Sequence, residues 1–224
     1  MKRKSVSRRA GQAAPKKISA GAVIIANGDL PRRSIVRGIL NKRVFIVCAD
    51  GGADKARRLG IRPDVIIGDF DSITQGTRNY FRTIPQVHAP DQYSTDLEKA
   101  ILLCIELKFA SVTIIGSSGD RIDHVTGALG CLRRFAGRID LRLVNEVCTT
   151  ECINGSIRFP SRPGEKVSLI PFTRCTGITT RNLLYPLKND SLEMGVREGI
   201  SNESTGKSVE ISVRSGFLFL CRFH

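Results

Sequence analysis

The chain has 224 residues, of which 41% are hydrophobic and 25% charged, a globular composition that argues against a fibrous or wholly disordered protein. No apolar run approaches the ~20 residues that span a bilayer, so we expect no membrane partner. The net charge of +14 raises the hypothesis of nucleic-acid binding. Residues 1–17 hold seven of the basic residues and no acid, which predicts a disordered basic tail, with organelle targeting or nucleic-acid contact as alternatives.

Between residues 18 and 147, short β-rich runs alternate with helical patterns. Strands are predicted at residues 22–26, 44–49, 64–68, 112–116 and 141–145, and helices at 53–59, 74–81, 95–108 and 120–135. This alternation predicts an α/β domain with a mostly parallel sheet and flanking helices. The helix at 95–108 has the clearest amphipathic stripe, and Thr95 followed by Glu98 forms a capping box at its start.

The pattern changes in residues 148–224, where short β-runs are separated by Gly, Pro and Asn turns. Strands are predicted at residues 156–159, 166–171, 177–180, 209–213 and 217–221. We therefore predict a second, smaller domain that is an antiparallel β-sandwich.

The seven cysteines show no C-x-x-C pair, and several lie in apolar periodic segments. This usage favours inert thiols in a reducing compartment over a disulfide framework or a zinc site. We expect a cytoplasmic protein.

Two acidic clusters follow predicted strands. Asp50 is followed by Gly51 and Gly52, and Asp69 and Asp71 follow the next strand. Ligands of open α/β sheets collect at the carboxyl ends of strands, and glycines let the backbone approach a ligand. Two carboxylates that point the same way from an extended chain would form a hard-oxygen site for Mg²⁺. An ordinary turn is the alternative for each cluster.

A third cluster contains Asp91, Gln92 and Asp96. Asp96 falls in the first turn of a predicted helix, where the helix dipole alone explains an acidic residue. Together with Asp69 and Asp71, however, it favours a metal cluster, because close carboxylates repel one another unless a cation neutralises them.

A fourth cluster is rich in glycine and opens a predicted helix after a strand. It contains Gly116, Gly119, Arg121, Asp123 and His124. Glycine-rich backbone at a helix N-terminus suits phosphate, and Arg121 can add bidentate contacts. His124 is more simply explained as a packing residue than as a general base.

The order of the motifs CADGGAD, GDFDSI, DQYSTDLEKA and GSSGDRIDH resembles the thiamine pyrophosphokinase family. The likeness continues through GEKVSLIPF, TTRNLLYPLKND and GISNESTGKSVEISV and covers roughly residues 22–219. It implies that a pyrophosphoryl group passes from ATP to thiamine with the help of Mg²⁺. It also implies an ATP- and Mg²⁺-binding α/β domain over 18–147, a thiamine-binding sandwich over 148–224, and a homodimer with sites between subunits.

The resemblance implies a role for each matched residue. The Mg²⁺ ligands would be Asp69, Asp71 and Asp96. One of three carboxylates would accept the hydroxyl proton of thiamine: Asp71, Asp91 or Asp96. The residues that bind ATP or thiamine would be Asp50, Gly51, Gly52, Gln92, Gly116, Gly119, Arg121, Asp123, Ser201 and Asn202. Tyr185 or Phe219 would stack on thiamine in place of the tryptophan that this chain lacks.

Two other functions fit parts of the sequence. A binding protein of the same fold would hold thiamine or nucleotide without turnover, but the intact set of aspartates favours an enzyme. A nucleic-acid-associated protein would explain the charge, but no motif combines aromatic and basic residues as such proteins do.

Overall fold

The computed structural model describes residues 21–41, 43–119 and 121–224, so the predicted basic tail and Asp120 lie outside the described residues. The helices are α1 (Arg33–Leu40), α2 (Gly52–Leu59), α3 (Gln75–Tyr80), α4 (Asp96–Glu106) and α5 (Ile122–Phe135). The strands are β1 (Gly21–Ile25), β2 (Phe45–Ala49), β3 (Val65–Gly68), β4 (Gln86–His88), β5 (Ser111–Ile115), β6 (Asp140–Val144), β7 (Cys148–Pro160), β8 (Lys166–Pro171), β9 (Cys175–Arg181), β10 (Asp190–Leu192), β11 (Gly199–Glu203) and β12 (Ser208–Phe223). Within the described residues, none of the helices has the length and apolar character that crossing a bilayer requires.

The first six strands form a parallel sheet in the order β4-β3-β2-β1-β5-β6. Alternate residues of β1 face opposite cores: Ala22 and Ile24 pack with α4 and α5, whereas Val23 and Ile25 pack with α1 and α2. Both faces of the sheet are therefore covered, as parallel sheets require. This arrangement confirms the predicted α/β class with flanking helices.

The C-terminal strands are antiparallel and continue from the same sheet, because β7 pairs with β6. β7 and β12 pair from Cys148↔Phe223 to Ser208↔Pro160, interrupted by a bulge. Beyond the bulge β12 changes its second neighbour from β9 to β8. The strands that diverge in this way enclose a separate apolar core that includes Leu169, Ile178 and Ile211.

Several details of the sequence prediction are wrong, among them the strands β10 and β11 and the first part of β7, which were not predicted. Helix α1 was missed because it begins without a side-chain cap and without an acidic residue in its first turn. β4 was missed because it has three residues. The runs at 209–213 and 217–221 belong to one strand, β12, whose bulge includes Gly216 at φ 98°. In the sequence, the glycine of the bulge indicates a turn between two strands, which is why one strand was predicted as two.

Phe219 lies in β12 but belongs to the core of the α/β half, and only 1% of its surface is exposed. Its ring meets Phe172 edge to face at 5.7 Å. The prediction that Phe219 stacks on thiamine is therefore wrong, because a buried ring cannot reach a ligand. Phe219 instead packs the two halves of the chain together.

We expect Phe219→Ala to lower the free energy of unfolding by about 3–5 kcal/mol, because it leaves a cavity in a closed core. Urea unfolding followed by circular dichroism measures the change. The matched control is Phe223→Ala, since 38% of Phe223 is exposed on the same strand. Equal losses in the two variants would contradict the role assigned to Phe219.

Candidate active site

The loops after β2 and β3 lie side by side, because these strands are parallel neighbours and end at the same edge of the sheet. Gly68 ends β3 against Asp50, and a Cβ there would lie 2.8 Å from the Cβ of Asp50. Asp50 itself has a left-handed backbone, with φ 40°. The glycine and the left-handed turn together let the two loops close on each other.

Three carboxylates meet at this edge. Asp50, Asp69 and Asp71 each offer one oxygen, and these oxygens lie within 4.8 Å of one another. Asp50 is buried, Asp69 is partly exposed and Asp71 is exposed, so the cluster opens to solvent on one side. Oxygen donors in such a group fit a hard cation such as Mg²⁺.

The chain brings Asp69 and Asp71 together by a turn and not by an extended segment as predicted. Phe70 between them has φ 68°, and the backbone N–H of Asp71 donates to Oδ1 of Asp69 at 3.2 Å. The Phe70 ring turns away and stacks between His88, at 5.6 Å, and the guanidinium of Arg78, at 4.7 Å. Its packing supports a backbone conformation that costs free energy in a bulky residue.

Asp50 ties the two loops together. Its carboxylate accepts hydrogen bonds from the backbone N–H groups of Ser72, at 2.9 Å, and Ile73, at 3.2 Å. Burial raises the pKa of Asp50, the amide of Ser72 opposes this, and the charge of nearby Asp96 raises the pKa further. A bound cation would relieve this unfavourable environment.

Asp69 is held in its ionised form. Desolvation raises its pKa, but hydrogen bonds from the Asp71 amide and from Gln92, with the charge of Lys99, lower the pKa overall. The Gln92 bond joins Nε2 to Oδ2 of Asp69 at 3.1 Å. Gln92, one of the residues that the resemblance assigns to substrate binding, thus lies directly beside the acidic cluster.

Lys99 is a member of the site that sequence analysis missed. Its side chain is 6% exposed, and Nζ lies 3.0 Å from Oδ1 of Asp96 and 4.0 Å from Oδ2 of Asp69. Asp96 is therefore ion-paired with a lysine one turn along α4. The cluster of three carboxylates consists of Asp69, Asp71 and Asp50, and does not include Asp96 as predicted. The i, i+3 spacing of Asp96 and Lys99 was the available signal.

The predicted cap of α4 fixes the position of this pair. Thr95 accepts a hydrogen bond from the backbone N–H of Glu98 at 3.2 Å, and α4 begins at the next residue, Asp96. The carboxylate of Glu98 accepts from Arg134 of α5 at 2.7 Å. α4 is thereby anchored to α5, with Asp96 and Lys99 facing the sheet edge.

Asp91 is exposed and engaged with its own loop. Its oxygens accept from the Ser94 hydroxyl, at 2.6 Å, and the Tyr93 amide, at 3.1 Å. The Ser94 hydrogen bond is the main cause that lowers the pKa of Asp91. Asp91 is thus a weaker base than an unperturbed aspartate.

Gly51 and Gly52 approach neighbouring protein atoms. A Cβ on Gly52 would lie 2.0 Å from the carbonyl oxygen of Ile25, and one on Gly51 would lie 2.4 Å from the Asn27 amide. These glycines let α2 start close behind the end of β1. The two glycines do permit a close approach, as predicted, but the atoms that approach them are the backbone of Ile25 and the side chain of Asn27 and not those of a ligand.

The glycine loop after β5 pairs with the segment after β1. The N–H of Gly28 donates to the carbonyl of Gly116 and that of Asp29 to the carbonyl of Ser118, both at 2.6 Å. Gly116 and Gly119 have φ values of 76° and 144°. Because strand order reverses between β1 and β5, this is the topological switch point where such sheets bind ligands. The part that Gly28 and Asp29 play after β1 was not predicted from the sequence.

Arg121 precedes α5 and forms an exposed ion pair with Asp123. The pair lowers the pKa of Asp123 to about 2. Exposed ion pairs contribute little to stability, so this one can open if a phosphate competes for Arg121.

In the antiparallel half, Ser201 is exposed, with φ 59°, and Asn202 is buried. The Asn202 amide accepts from the backbone N–H of Tyr185 at 3.0 Å and donates to its carbonyl at 2.8 Å. Asn202 thereby holds Tyr185, whose side chain is 67% exposed. Of the two aromatic residues predicted to stack on thiamine, Tyr185 is exposed and Phe219 is buried.

We expect Lys99→Met to lower the free energy of unfolding by about 1–3 kcal/mol at pH 7, because two carboxylates lose their internal cation. Asp69 has a lowered pKa, so its stabilising contribution is present at neutral pH and is lost as pH falls through that folded-state pKa. The loss should therefore shrink below about pH 4. Denaturant unfolding at a series of pH values tests this.

The control for this prediction is Lys188→Met, since Lys188 is exposed. It should change the free energy of unfolding by less than about 0.5 kcal/mol. A Lys99→Met loss that stays constant down to pH 3 would show packing, and not charge, as its cause.

Comparisons with known proteins show which family the chain resembles. The catalytic domain family of thiamin pyrophosphokinase matches residues 36–143, and its vitamin B1 binding domain family matches residues 155–218. Thiamin pyrophosphokinase 1 of Caenorhabditis elegans is 29% identical over 80% of this chain and 79% of its own. Thiamine pyrophosphokinase of Bacillus subtilis is 28% identical over 89% of this chain and 96% of its own.

Solved structures share the fold. The crystal structure of the Bacillus subtilis thiamine pyrophosphokinase superposes with a TM-score of 0.81 at 25% identity, covering 91% of this chain and 98% of that one. The Candida albicans enzyme reaches the same TM-score at 17% identity, which shows the fold alone. With both domain families matched in order along one chain, this protein belongs to the thiamine pyrophosphokinase family.

Proposed function

We propose that this protein transfers the pyrophosphoryl group of ATP to the hydroxyl of thiamine, giving thiamine pyrophosphate and AMP. The observation that carries the proposal is the group of Asp50, Asp69 and Asp71 oxygens at the carboxyl edge of the sheet, in a chain that matches both domain families. Transfer between two bound substrates depends mostly on positioning and charge stabilisation.

Asp50, Asp69 and Asp71 would hold Mg²⁺. When bound, the ion would neutralise charge on the phosphate oxygens and align them. We assign Asp96, expected from the family resemblance to be a ligand, to the pair with Lys99, from which its charge still acts on Asp50. Lys99 and Gln92 both contact Asp69 and so fix its orientation.

The hydroxyl of thiamine must lose a proton during the transfer. Asp71, Asp91 and Asp96 were the candidate acceptors. Asp91 is the least suited because both of its oxygens accept hydrogen bonds and its pKa is lowered. Asp71, a member of the acidic cluster, and Asp96, the first residue of α4, remain as candidates.

We propose that the complete site needs two subunits. Six strand-to-strand steps separate β12 from β3 in the sheet order, which at about 4.8 Å a step is roughly 30 Å along the sheet. β11, which carries Ser201 and Asn202, lies one strand beyond β8. A substrate the size of thiamine does not span that distance. A homodimer brings Ser201 and Tyr185 of one subunit to the carboxylates of the other.

A cytoplasmic location stays a prediction. The cysteine pattern supports it, since all seven thiols are free. Thiols buried in apolar surroundings, such as Cys48 and Cys104, have raised pKa values because of desolvation and are chemically inert.

Incubation with ATP, Mg²⁺ and thiamine should yield AMP and thiamine pyrophosphate in equal amounts, identified by mass. We expect Asp71→Asn to lower kcat by about 100-fold or more, because it removes charge where the phosphates bind. The matched control is Asp140→Asn, which lies exposed at the start of β6 and should leave kcat within about twofold. Absence of both products from the wild-type protein would refute the proposed function.

We expect Asn202→Ala to raise the KM for thiamine by roughly five- to a hundredfold, because it frees the segment that presents Tyr185 and leaves backbone groups unpaired. The KM for ATP should change little. Asn189→Ala is the control, since that asparagine also lies in the antiparallel half and binds Arg214. If Tyr185→Ala leaves the KM for thiamine unchanged, Tyr185 does not stack on the substrate.

The two-subunit site predicts complementation. Mixing Asp71→Asn with the double variant Tyr185→Ala/Asn202→Ala, with subunit exchange verified, should restore up to about a quarter of the wild-type sites in a symmetric dimer. Half of the dimers are then hybrids with one intact site each. No recovery in verified hybrids would place each site within one subunit.

A further inference from the structure

Two cysteines and a threonine meet on one face of the antiparallel half, where β7 begins and β12 ends. Thr150 of β7 pairs directly with Cys221 of β12, and Cys148 is the first residue of β7. Residues two apart on a strand lie on the same face. The Thr150 hydroxyl accordingly contacts both sulfur atoms, that of Cys148 at 3.7 Å and that of Cys221 at 3.4 Å. The two thiols are therefore neighbours, although they lie far apart in the sequence.

The two thiols hold their protons unequally. Hydrogen bonding from the Cys221 thiol is the main cause that lowers the pKa of Cys148. Burial opposes this effect, but Thr150, the side chain of Asn145 and the charge of His224 lower the pKa of Cys148 further. The same hydrogen bond, together with burial, raises the pKa of the Cys221 thiol. Cys148 is thus the thiolate of the pair, and Cys221 keeps its proton.

Cys148 differs in this respect from the other cysteines, all of which lie in the described part of the chain. Desolvation by burial raises the pKa of each thiol outside the pair, namely Cys48, Cys104, Cys131, Cys152 and Cys175. A protonated thiol reacts slowly with oxidants, because the thiolate is the nucleophile. The inert behaviour that the sequence predicts for the cysteines therefore does not extend to Cys148.

Small oxidants can approach the pair from the end of the sheet. Cys148 is 8% exposed, and Val147 directly before it is 56% exposed. Phe223, which pairs with Cys148 across the strands, and His224 are also exposed. An accessible thiolate beside a second thiol is the arrangement that redox-sensing proteins use, because the second thiol resolves the first oxidation product.

We propose that Cys148 and Cys221 form an oxidation site, at which a peroxide converts the two thiols into a reversible disulfide. The Cys148 thiolate attacks one oxygen of hydrogen peroxide and breaks the O–O bond, which leaves a sulfenic acid on Cys148. The other oxygen leaves as hydroxide and takes up a proton to become water. The Cys221 thiol then condenses with the sulfenic acid, so that an S–S bond forms, the S–O bond breaks and a second water leaves. Two electrons pass from the thiols to the peroxide, and a dithiol reductant returns them.

Mass spectrometry of the folded, full-length protein tests the proposal. The protein is first reduced with dithiothreitol, which is then removed, and a small molar excess of hydrogen peroxide is added at neutral pH. The wild type should lose about 2 Da as the disulfide forms, and dithiothreitol should restore the original mass. Digestion without reductant, by trypsin and a glutamate-specific protease together, identifies the pairing, because Glu151 lies between Cys148 and Cys152.

Variants of the two cysteines separate their roles. Cys221→Ser should stop at the sulfenic acid of Cys148, which dimedone traps. Cys148→Ser should form neither this sulfenic acid nor the disulfide. The matched control is Cys152→Ser on the same strand, which should form the disulfide at a rate within about twofold of the wild type, because Cys152 is protonated and takes no part.

Circular dichroism checks that the variants fold, and Cys148→Ala replaces Cys148→Ser if that variant does not. An unchanged mass of the wild type after peroxide treatment would overturn the proposal. A disulfide that joins a different pair of cysteines, or equal sulfenic acid formation on Cys148 and Cys152, would also overturn it. These measurements need neither ATP nor thiamine, so their outcome is independent of the proposed function.

Discussion

The structure of the site depends on the burial of the Asp50 carboxylate between two loops. Asp50 follows β2, and its oxygens accept the amides of Ser72 and Ile73 in the loop that follows β3. A buried carboxylate without such partners would be costly, so the two loops hold each other in place. Asp69 and Asp71 are carried by the second loop and are positioned by the same bonds. The three carboxylates therefore lie close together because the buried Asp50 carboxylate is hydrogen-bonded to the loop that carries the other two.

The charges of the acidic cluster are balanced on its buried side but not on its exposed side. Lys99 offsets the repulsion between Asp69 and Asp96 from inside the protein. The exposed side of the acidic cluster has no such internal cation among the described residues, and there a metal ion would complete the balance.

The two halves of the chain share one sheet but have separate cores. β6 and β7 connect them by backbone hydrogen bonds, and Phe219 of β12 packs into the core of the α/β half. Each half therefore keeps a fixed position relative to the other. In the proposed homodimer, this fixed position sets where each subunit presents its carboxylates and its Tyr185, and misalignment by about 1 Å can cost 100-fold in rate.

Periodicity and capping are local properties, so the α/β class, the helix α4 with its Thr95 cap and the carboxylates that follow strands could all be predicted from the sequence alone. The ordered motifs also identified the family. Three features became visible only in the folded chain: Asp50 joins Asp69 and Asp71, Lys99 pairs with Asp96, and Phe219 is buried. Distances between loops from different strands, and the burial of one residue by another half of the chain, depend on packing that no local pattern encodes.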